Sequence, residues 1–378
     1  MSLQKNTGAV RRFARLLKFG SWLQGISNKV TPPPFRLMQI GSAFWQSRCL
    51  FVAVHLDIAS FLGDEIFSAE EIAVHVSSHP DATYRLLRML TSMGVFEETE
   101  PRFFRNNKLS SHLRTDHPQN VRAMILMHNS EAMCRPWYEQ LEEGIRKGSA
   151  PFELIHGEGL FEYLNNHSEF DALFTQAMDT VEALVGDTFA TDMDWSQFDR
   201  LIDVGGSRGS KSVTILKQHS KLKALVMDRA QTIVGAQDYW MKRVDPQVLE
   251  RLRFEAGDVL EAVPTATSEK DVYFLSAVLH GFDDESSVKI LHNLSHAIGD
   301  TGASVVLLEL VLPEQGIDLA SASSDMQMFM GTHGRERTRT EWQWLLEQAD
   351  LSLDETVDLR SIGKILVARR PASTRTNQ

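Results

Sequence analysis

Arg200-Leu-Ile-Asp203-Val-Gly205-Gly206-Ser207-Arg208-Gly209 leads through a mixed run into Leu225-Val-Met-Asp228. Leu201, Ile202 and Val204 form a short apolar strand that ends in a glycine-rich turn. Across 210–219 (SKSVTILKQH), Val213, Leu216 and Lys217 recur at helical spacing. Leu222 to Met227 reads as a second buried strand, with Asp228 at its carboxyl end. Strand, glycine turn, helix, strand and acid make one βαβ unit of a nucleotide-binding sheet. The glycines let backbone pass close to a ligand, and an acid roughly 20 residues on accepts hydrogen bonds from a ribose diol.

The turn points away from a dinucleotide. It reads D-x-G-G-S-x-G, and Asp203 stands just before the glycines. A carboxylate there repels a pyrophosphate and favours a cationic or zwitterionic ligand. S-adenosylmethionine has an ammonium, a sulfonium, a ribose and no phosphate. Taken alone, the turn is also consistent with plain packing of a helix on a sheet, so the flanking chain decides.

Downstream, Leu252-Arg-Phe-Glu-Ala-Gly-Asp258 reads as a third strand ending in a second acid. Asp271 to His280 reads as a fourth, with His280 at its end, and Ala303 to Leu312 as a fifth, apolar except for Glu309. Leu351–Leu359 and Ile362–Arg369 read as a closing antiparallel hairpin. Strands alternating with helices imply a doubly wound, mostly parallel sheet whose ligand crevice lies outside the carboxyl ends of the strands. Gly205, Asp228, Asp258 and His280 all fall at those ends. An imidazole near its ordinary pKa of ~6.5 takes a proton from a phenol or hydroxyl at neutral pH. Glu309 interrupts the apolar run VVLLELVL, where a charge needs a partner. Glu336 lies in Gly334-Arg-Glu-Arg-Thr338, before a helix starting near Thr340. One carboxylate on each side can fix the tautomer and orientation of the imidazole.

Upstream, Thr31-Pro32-Pro33-Pro34 closes a basic arm, and a helical apolar pattern runs from Phe35 to Phe61. Ser68-Ala-Glu-Glu71 is a capping box, and Asp81 is placed to cap a helix that Gly94 ends. Two short strands flank Pro101. Helix, helix, hairpin is a winged-helix pattern. Glu70, Glu71, Glu97, Glu98 and Glu100 crowd it, and acids repel phosphate, so a scaffold for dimerisation is expected and not a DNA reader. Residues 118–147 and 158–190 read as further helices.

The 378 residues carry a net charge of −11, which argues against nucleic acid as a partner. Two cysteines, Cys49 and Cys134, lack metal-type spacing, so no disulfide framework and no metal site are expected. No apolar run reaches the ~18 residues of a spanning helix, and a cytoplasmic protein is expected. Before the first acid, Asp57, lie Lys5, Arg11, Arg12, Arg15, Lys18, Lys29, Arg36 and Arg48. Residues 9–24 read as a basic amphipathic helix, either an organelle-targeting segment or an arm that packs on a partner subunit. The expected domains are an arm at 1–31, a helical winged-helix-like dimerisation and acceptor-pocket domain at 32–190, a catalytic domain at 191–371 and a tail at 372–378.

The motifs LIDVGGSRG (201–209), VMDRAQTI (226–233), FEAGDVL (254–260), VLHGFDDE (278–285), LLELVLP (307–313) and GRERT (334–338) together resemble the plant-type, caffeic-acid-like small-molecule O-methyltransferases. The resemblance covers nearly everything from Phe35 to Arg370. It implies a Rossmann-like domain with a seven-stranded mostly parallel sheet, an N-terminal dimerisation domain and an intertwined homodimer. It implies S-adenosylmethionine bound by Asp203, Gly205, Gly206, Gly209, Asp228, Arg229, Asp258, Val259 and Ser276, with Phe174 and Met178 near the methyl donor. It implies His280 as base between Glu309 and Glu336, and an acceptor wall of Met127, His128, Met133, Phe170, Met326 and Gln327. Ser207, Gly281 and Ser276 depart from the family's usual Gly, Asp and Lys. The implied reaction is methyl transfer to the hydroxyl of a small phenolic or hydroxylated metabolite. Alternatives within the same fold are S-methylation of a thioether or thiol acid, and a non-methylating member that assists a rearrangement, decarboxylation or hydroxylation.

Overall fold

The computed structural model describes residues 2–371; the expected tail at 372–378 lies outside them. The chain divides into two compact units. One joins the N-terminal residues through Ser21 to the chain from Gly186 onward, and the other is Trp22–Val185.

The first unit is built on seven strands, β1 to β7 in chain order: Arg200–Val204, Lys223–Asp228, Leu252–Ala256, Asp271–Ser276, Ser304–Glu309, Ser352–Asp358 and Lys364–Arg369. Their spatial order is β6-β7-β5-β4-β1-β2-β3. Only β7 runs against the others, antiparallel to both β5 and β6. The central strands are apolar at almost every position because both faces are covered. Alternate residues feed two separate cores. Leu201, Val226, Phe274, Val306 and Val367 pack on one face, and Ile202, Tyr273, Leu275, Val305 and Leu366 on the other. From β1 the chain winds to β2 and β3 on one side, then crosses to β4 and β5 on the other. That reversal opens a crevice at the carboxyl ends of β1 and β4.

Several expected bounds shift. β4 stops at Ser276, because Ala277 turns the chain with φ +52°. His280 therefore sits in a separate 3-10 turn, Leu279–Gly281, and not on the strand. The fifth strand ends at Glu309, and Val311–Leu312 leaves it to pair in parallel with Arg337–Thr338. The helical stretch after Asp228 is three short helices, Ala230–Ile233, Ala236–Met241 and Pro246–Leu249. The basic helix spans Thr7–Val30. Its approach is tied to the sheet unit: Leu3 is buried in the core, Leu3 N donates to Glu355 Oε2 at 2.9 Å, and Lys5 N donates to Asp192 O at 2.7 Å.

In Trp22–Val185, Ser68 and Glu71 form the expected capping box on helix Ala69–His75. Phe96–Glu100 and Phe103–Asn106 pair as an antiparallel hairpin, with Phe67–Ser68 added at its edge. Ile58, Leu62, Ile72, Leu87, Phe96 and Phe104 form the core beneath. The prolines after Thr31 do not merely stop a helix: Pro33 opens the next, Pro33–Gly41, since a first-turn residue needs no N–H partner. Likewise Pro80 starts helix Pro80–Ser92, and Asp81 is not its cap but a first-turn acid paired with Arg85 at 2.9 Å. The expected long helices break into segments, the longest being Ser168–Val185.

Ser207 sits at φ +53°, a left-handed backbone that costs a residue with a Cβ ~1–2 kcal/mol. Glycine removes that strain but loses more entropy on folding. Ser207→Gly is expected to gain roughly 0.5–1 kcal/mol in urea denaturation; a loss of stability would contradict the strain.

Candidate active site

The glycine turn is tight because each of its glycines has a neighbour where a side chain would go. Gly205 (φ +73°) donates its N–H to Met227 O at 2.8 Å, and a Cβ there would lie 2.9 Å from Val278 Cγ2. A Cβ on Gly206 would meet the Asp203 carboxyl carbon at 2.5 Å. Gly209 (φ +79°) packs against Val226 and caps helix Ser210–Gln218. Asp203 is 1% exposed, and its Oδ2 accepts from Ser212 Oγ at 2.6 Å. The acid expected to greet a cationic ligand is turned beneath its own loop, where it braces the turn.

Asp228 is half-buried at the end of β2. Its Oδ2 accepts the Ser207 N–H at 2.8 Å and its Oδ1 the Arg229 N–H at 2.7 Å. Each oxygen has two lone pairs, so acceptor capacity remains for a diol. The third strand end is tied to the second by Gly257 N donating to Asp228 O at 3.0 Å. Asp258 is exposed and accepts from Leu260 N at 2.9 Å, Val259 O accepts from Asn293, and Ser276 closes β4. Glycines that admit a close ligand, a half-buried carboxylate with spare lone pairs and an acid on the neighbouring strand fit a nucleoside bearing a cationic sulfonium.

His280 stands on the turn whose Val278 packs against Gly205. Its loop is held at nearly every polar atom. Glu309 Oε1 accepts the Val278 and Leu279 N–H groups at 3.2 and 3.1 Å. Arg337, 1% exposed, donates to Leu279 O and Phe282 O at 3.0 Å each and pairs with Asp284 at 2.8 Å. Gly334 packs directly on the His280 carbonyl, where any Cβ would overlap it. His280 Nδ1 lies 3.1 Å from Glu336 Oε1; with a carboxylate as acceptor the proton belongs on Nδ1, leaving Nε2 to accept. Glu336 is no helix cap: that role belongs to Thr338, in a capping box with Glu341. Glu336 Oε1 also accepts from Ser324 Oγ at 2.9 Å, and its N–H donates to Asp325 Oδ1 at 2.9 Å.

Burial alone would lower the His280 pKa, but the Glu336 hydrogen bond and the charges of Glu309 and Glu336 outweigh it and raise it. Burial pushes Glu309 up to about 7, against the pull of His280 and the two backbone donors. The ligating atoms of His280, Glu309 and Glu336 lie within 4.8 Å of one another, a spacing a metal ion could also use. Hydrogen bonding already accounts for Nδ1 and both Oε1 atoms.

The sequence-predicted residues thus gather in one unit: the glycine turn, Asp228, Arg229, Asp258, Val259, Ser276, His280, Glu309 and Glu336. Met326 and Gln327 belong to it too, half-buried on helix Leu319–Gly331. Phe174 and Met178, half-buried on Ser168–Val185, belong to the other unit, as does Phe170, which packs edge-on to Tyr163. Met127 and Met133 are buried there, and His128 is exposed at the end of helix Arg122–His128. Sequence reasoning passed over Ser324, Asp325 and the clamping roles of Gly334 and Arg337. The last two stood inside the motif GRERT; nothing in the sequence marked Ser324.

Residues 138–352 match the family model of an O-methyltransferase domain, and residues 38–116 that of an O-methyltransferase dimerisation domain. The chain belongs to the O-methyltransferase family. This methyltransferase is 30% identical over 335 residues to phenazine O-methyltransferase PhzM of Lysobacter antibioticus, covering 89% of this chain and 95% of that one. It is 28% identical over 342 residues to phenazine-1-carboxylate N-methyltransferase of Pseudomonas aeruginosa, covering 88% and 96%. The solved structure of CalO1, a methyltransferase in calicheamicin biosynthesis in its SAH-bound form, superposes with a TM-score of 0.77 at 28% identity, covering 89% and 98%. The chain is an S-adenosylmethionine-dependent methyltransferase of small molecules, with a dimerisation domain that supports a homodimer. No helix among the described residues is long and apolar enough to cross a membrane.

Glu309 binds a proton more tightly folded than unfolded, so its contribution to stability is full below pH ~4.5 and is lost as pH rises through about 7. His280, against the effect of burial, is raised as well by the Glu336 hydrogen bond and the two carboxylate charges, so its contribution is likewise lost as pH rises. The wild type is therefore expected to lose stability relative to Glu309→Gln between pH 5 and 8, by on the order of 3 kcal/mol in denaturant titrations. A flat difference across that range would refute the buried proton.

Proposed function

We propose that this methyltransferase transfers its methyl group to the hydroxyl of a small phenolic or otherwise hydroxylated metabolite, with His280 as general base. The observation that carries this reading is the Glu336–His280 pair, in which Nδ1 is committed to a carboxylate and Nε2 is left as a proton acceptor. S-adenosylmethionine, when bound, supplies an electrophilic methyl on sulfur. Asp228 accepts from the ribose hydroxyls, Gly205 and Gly206 admit the ligand against backbone, and Asp258 with Val259 flanks the base. Arg229 and Ser276 line the same strand ends. Glu336 keeps the imidazole in one tautomer, and Glu309 fixes the turn that carries it. Displacement at a methyl group needs alignment of nucleophile, carbon and leaving sulfur, and the clamped turn supplies a fixed position for the base. Met326 and Gln327 face the acceptor in this reading. The parts given to Met127, His128, Met133 and Phe170 at the acceptor, and to Phe174 and Met178 beside the methyl donor, follow from the family resemblance. Exposed Phe35, Leu37, Met38, Ile40 and Trp45, beside and within the dimerisation match, support a partner subunit that covers them, as an intertwined homodimer would.

Two variants test the assignments separately. His280→Ala should lower kcat on a hydroxylated aromatic acceptor by ~10²–10⁴ while leaving cofactor affinity intact. Near-wild-type turnover would sink the base and favour an acceptor with no proton to lose, such as a thioether. Asp228→Ala should abolish measurable S-adenosylmethionine binding by calorimetry, and an unchanged Kd would remove the ribose assignment.

A further inference from the structure

Two carboxylates beside one imidazole create a difficulty for a base. Glu336 and Glu309 both favour the imidazolium, and an imidazolium cannot accept a proton. Arg337 opposes them, but its guanidinium is already paired with Asp284 and with the loop carbonyls. Asp325, the remaining acid packed against Glu336, takes the Glu336 backbone N–H. Something must restrain Glu336 if His280 is to release its proton near neutral pH.

We propose that Ser324 is a positioning residue for the proton-transfer pair: its hydroxyl donates to the same Glu336 oxygen that takes the His280 Nδ1–H, so two donors divide that oxygen's charge. Glu336 Oε2 is buried with no hydrogen-bond partner, so Oε1 alone is the working oxygen. A neutral donor on a carboxylate weakens its pull on a second donor, as any shared acceptor does. Asp325 sets where Glu336 stands by receiving its N–H, and Ser324 sets how strongly it holds the imidazole. Both lie on helix Leu319–Gly331, immediately before Met326 and Gln327. This inference takes His280 as the base, yet its central measurement does not require turnover.

The experiment is an NMR titration of the His280 ring carbon in the full-length, ¹³C-histidine-labelled homodimer, assigned with His280→Gln. In Ser324→Ala the midpoint should rise by roughly half to one pH unit, since a hydrogen bond to a charged group is worth about that much when part of it is transmitted. Ser324→Thr, which keeps the hydroxyl, should return it to the wild-type value. The acid limb of the kcat/KM profile, read as S-adenosylhomocysteine formed, should move with the midpoint. An unmoved or lowered midpoint in Ser324→Ala overturns the proposal, as does an equal rise in Ser324→Thr. Should Ser324→Ala fail to fold, Ser324→Cys keeps the size and replaces the donor with a weak one, and the same rise is required of it. A shifted midpoint together with full activity of His280→Ala would retain Ser324 as the tuner and discard the base.

Discussion

The acceptance of two backbone N–H groups by the Glu309 carboxylate is the contact on which the end of the sheet depends. β4 and β5 are parallel and in register up to Ser276 and Leu308, which places Glu309 one residue past the last pair. Ala277 then turns the chain back across the sheet end, so its next two amides face that carboxylate. A buried carboxylate without such donors is costly, and buried amides without an acceptor are equally so; each satisfies the other. With the turn fixed from below, Arg337 takes its carbonyls, Gly334 closes on its crown, and Glu336 arrives from the same loop to meet the imidazole.

The two halves of the site touch. Val278, whose amide Glu309 holds, is the residue a Cβ on Gly205 would strike. The glycine turn and the turn that carries His280 are therefore packed against one another at the switch point of the sheet. A bulkier residue at 205 would displace both. This is why the opening motif D-x-G-G-S-x-G matters beyond the ligand it admits.

Much of this was legible before the structure. Apolar runs of β-branched residues gave the strands of the sheet, and the acids and histidine after them fell at the carboxyl ends because parallel strands all point one way. The capping box at Ser68 carried its own geometry. What was hidden was whatever depends on backbone direction or on contacts distant in sequence. Nothing marks Ala277 as left-handed, so His280 was read onto a strand it does not belong to. Asp203 was read as facing the ligand because a sequence does not reveal that Ser212, nine residues on, folds back to it. Thr31–Pro34 reads as the close of an arm, although proline serves equally well as the first residue of a helix, as Pro33 does. Ser324 had no periodic or compositional signal; only the meeting of helix Leu319–Gly331 with the loop at Glu336 reveals it.

That helix joins two things usually kept apart. Residues 324 and 325 hold the Glu336 carboxylate that meets His280, and residues 326 and 327, proposed above to face the acceptor, are the next two along the same backbone. A change that tilts or shifts the helix to accept a different molecule also moves the hydroxyl and the acid that steady Glu336. With Met326 and Gln327 at the acceptor and His280 as base, as proposed above, selection for new acceptors along this segment would alter the working pH range as a by-product.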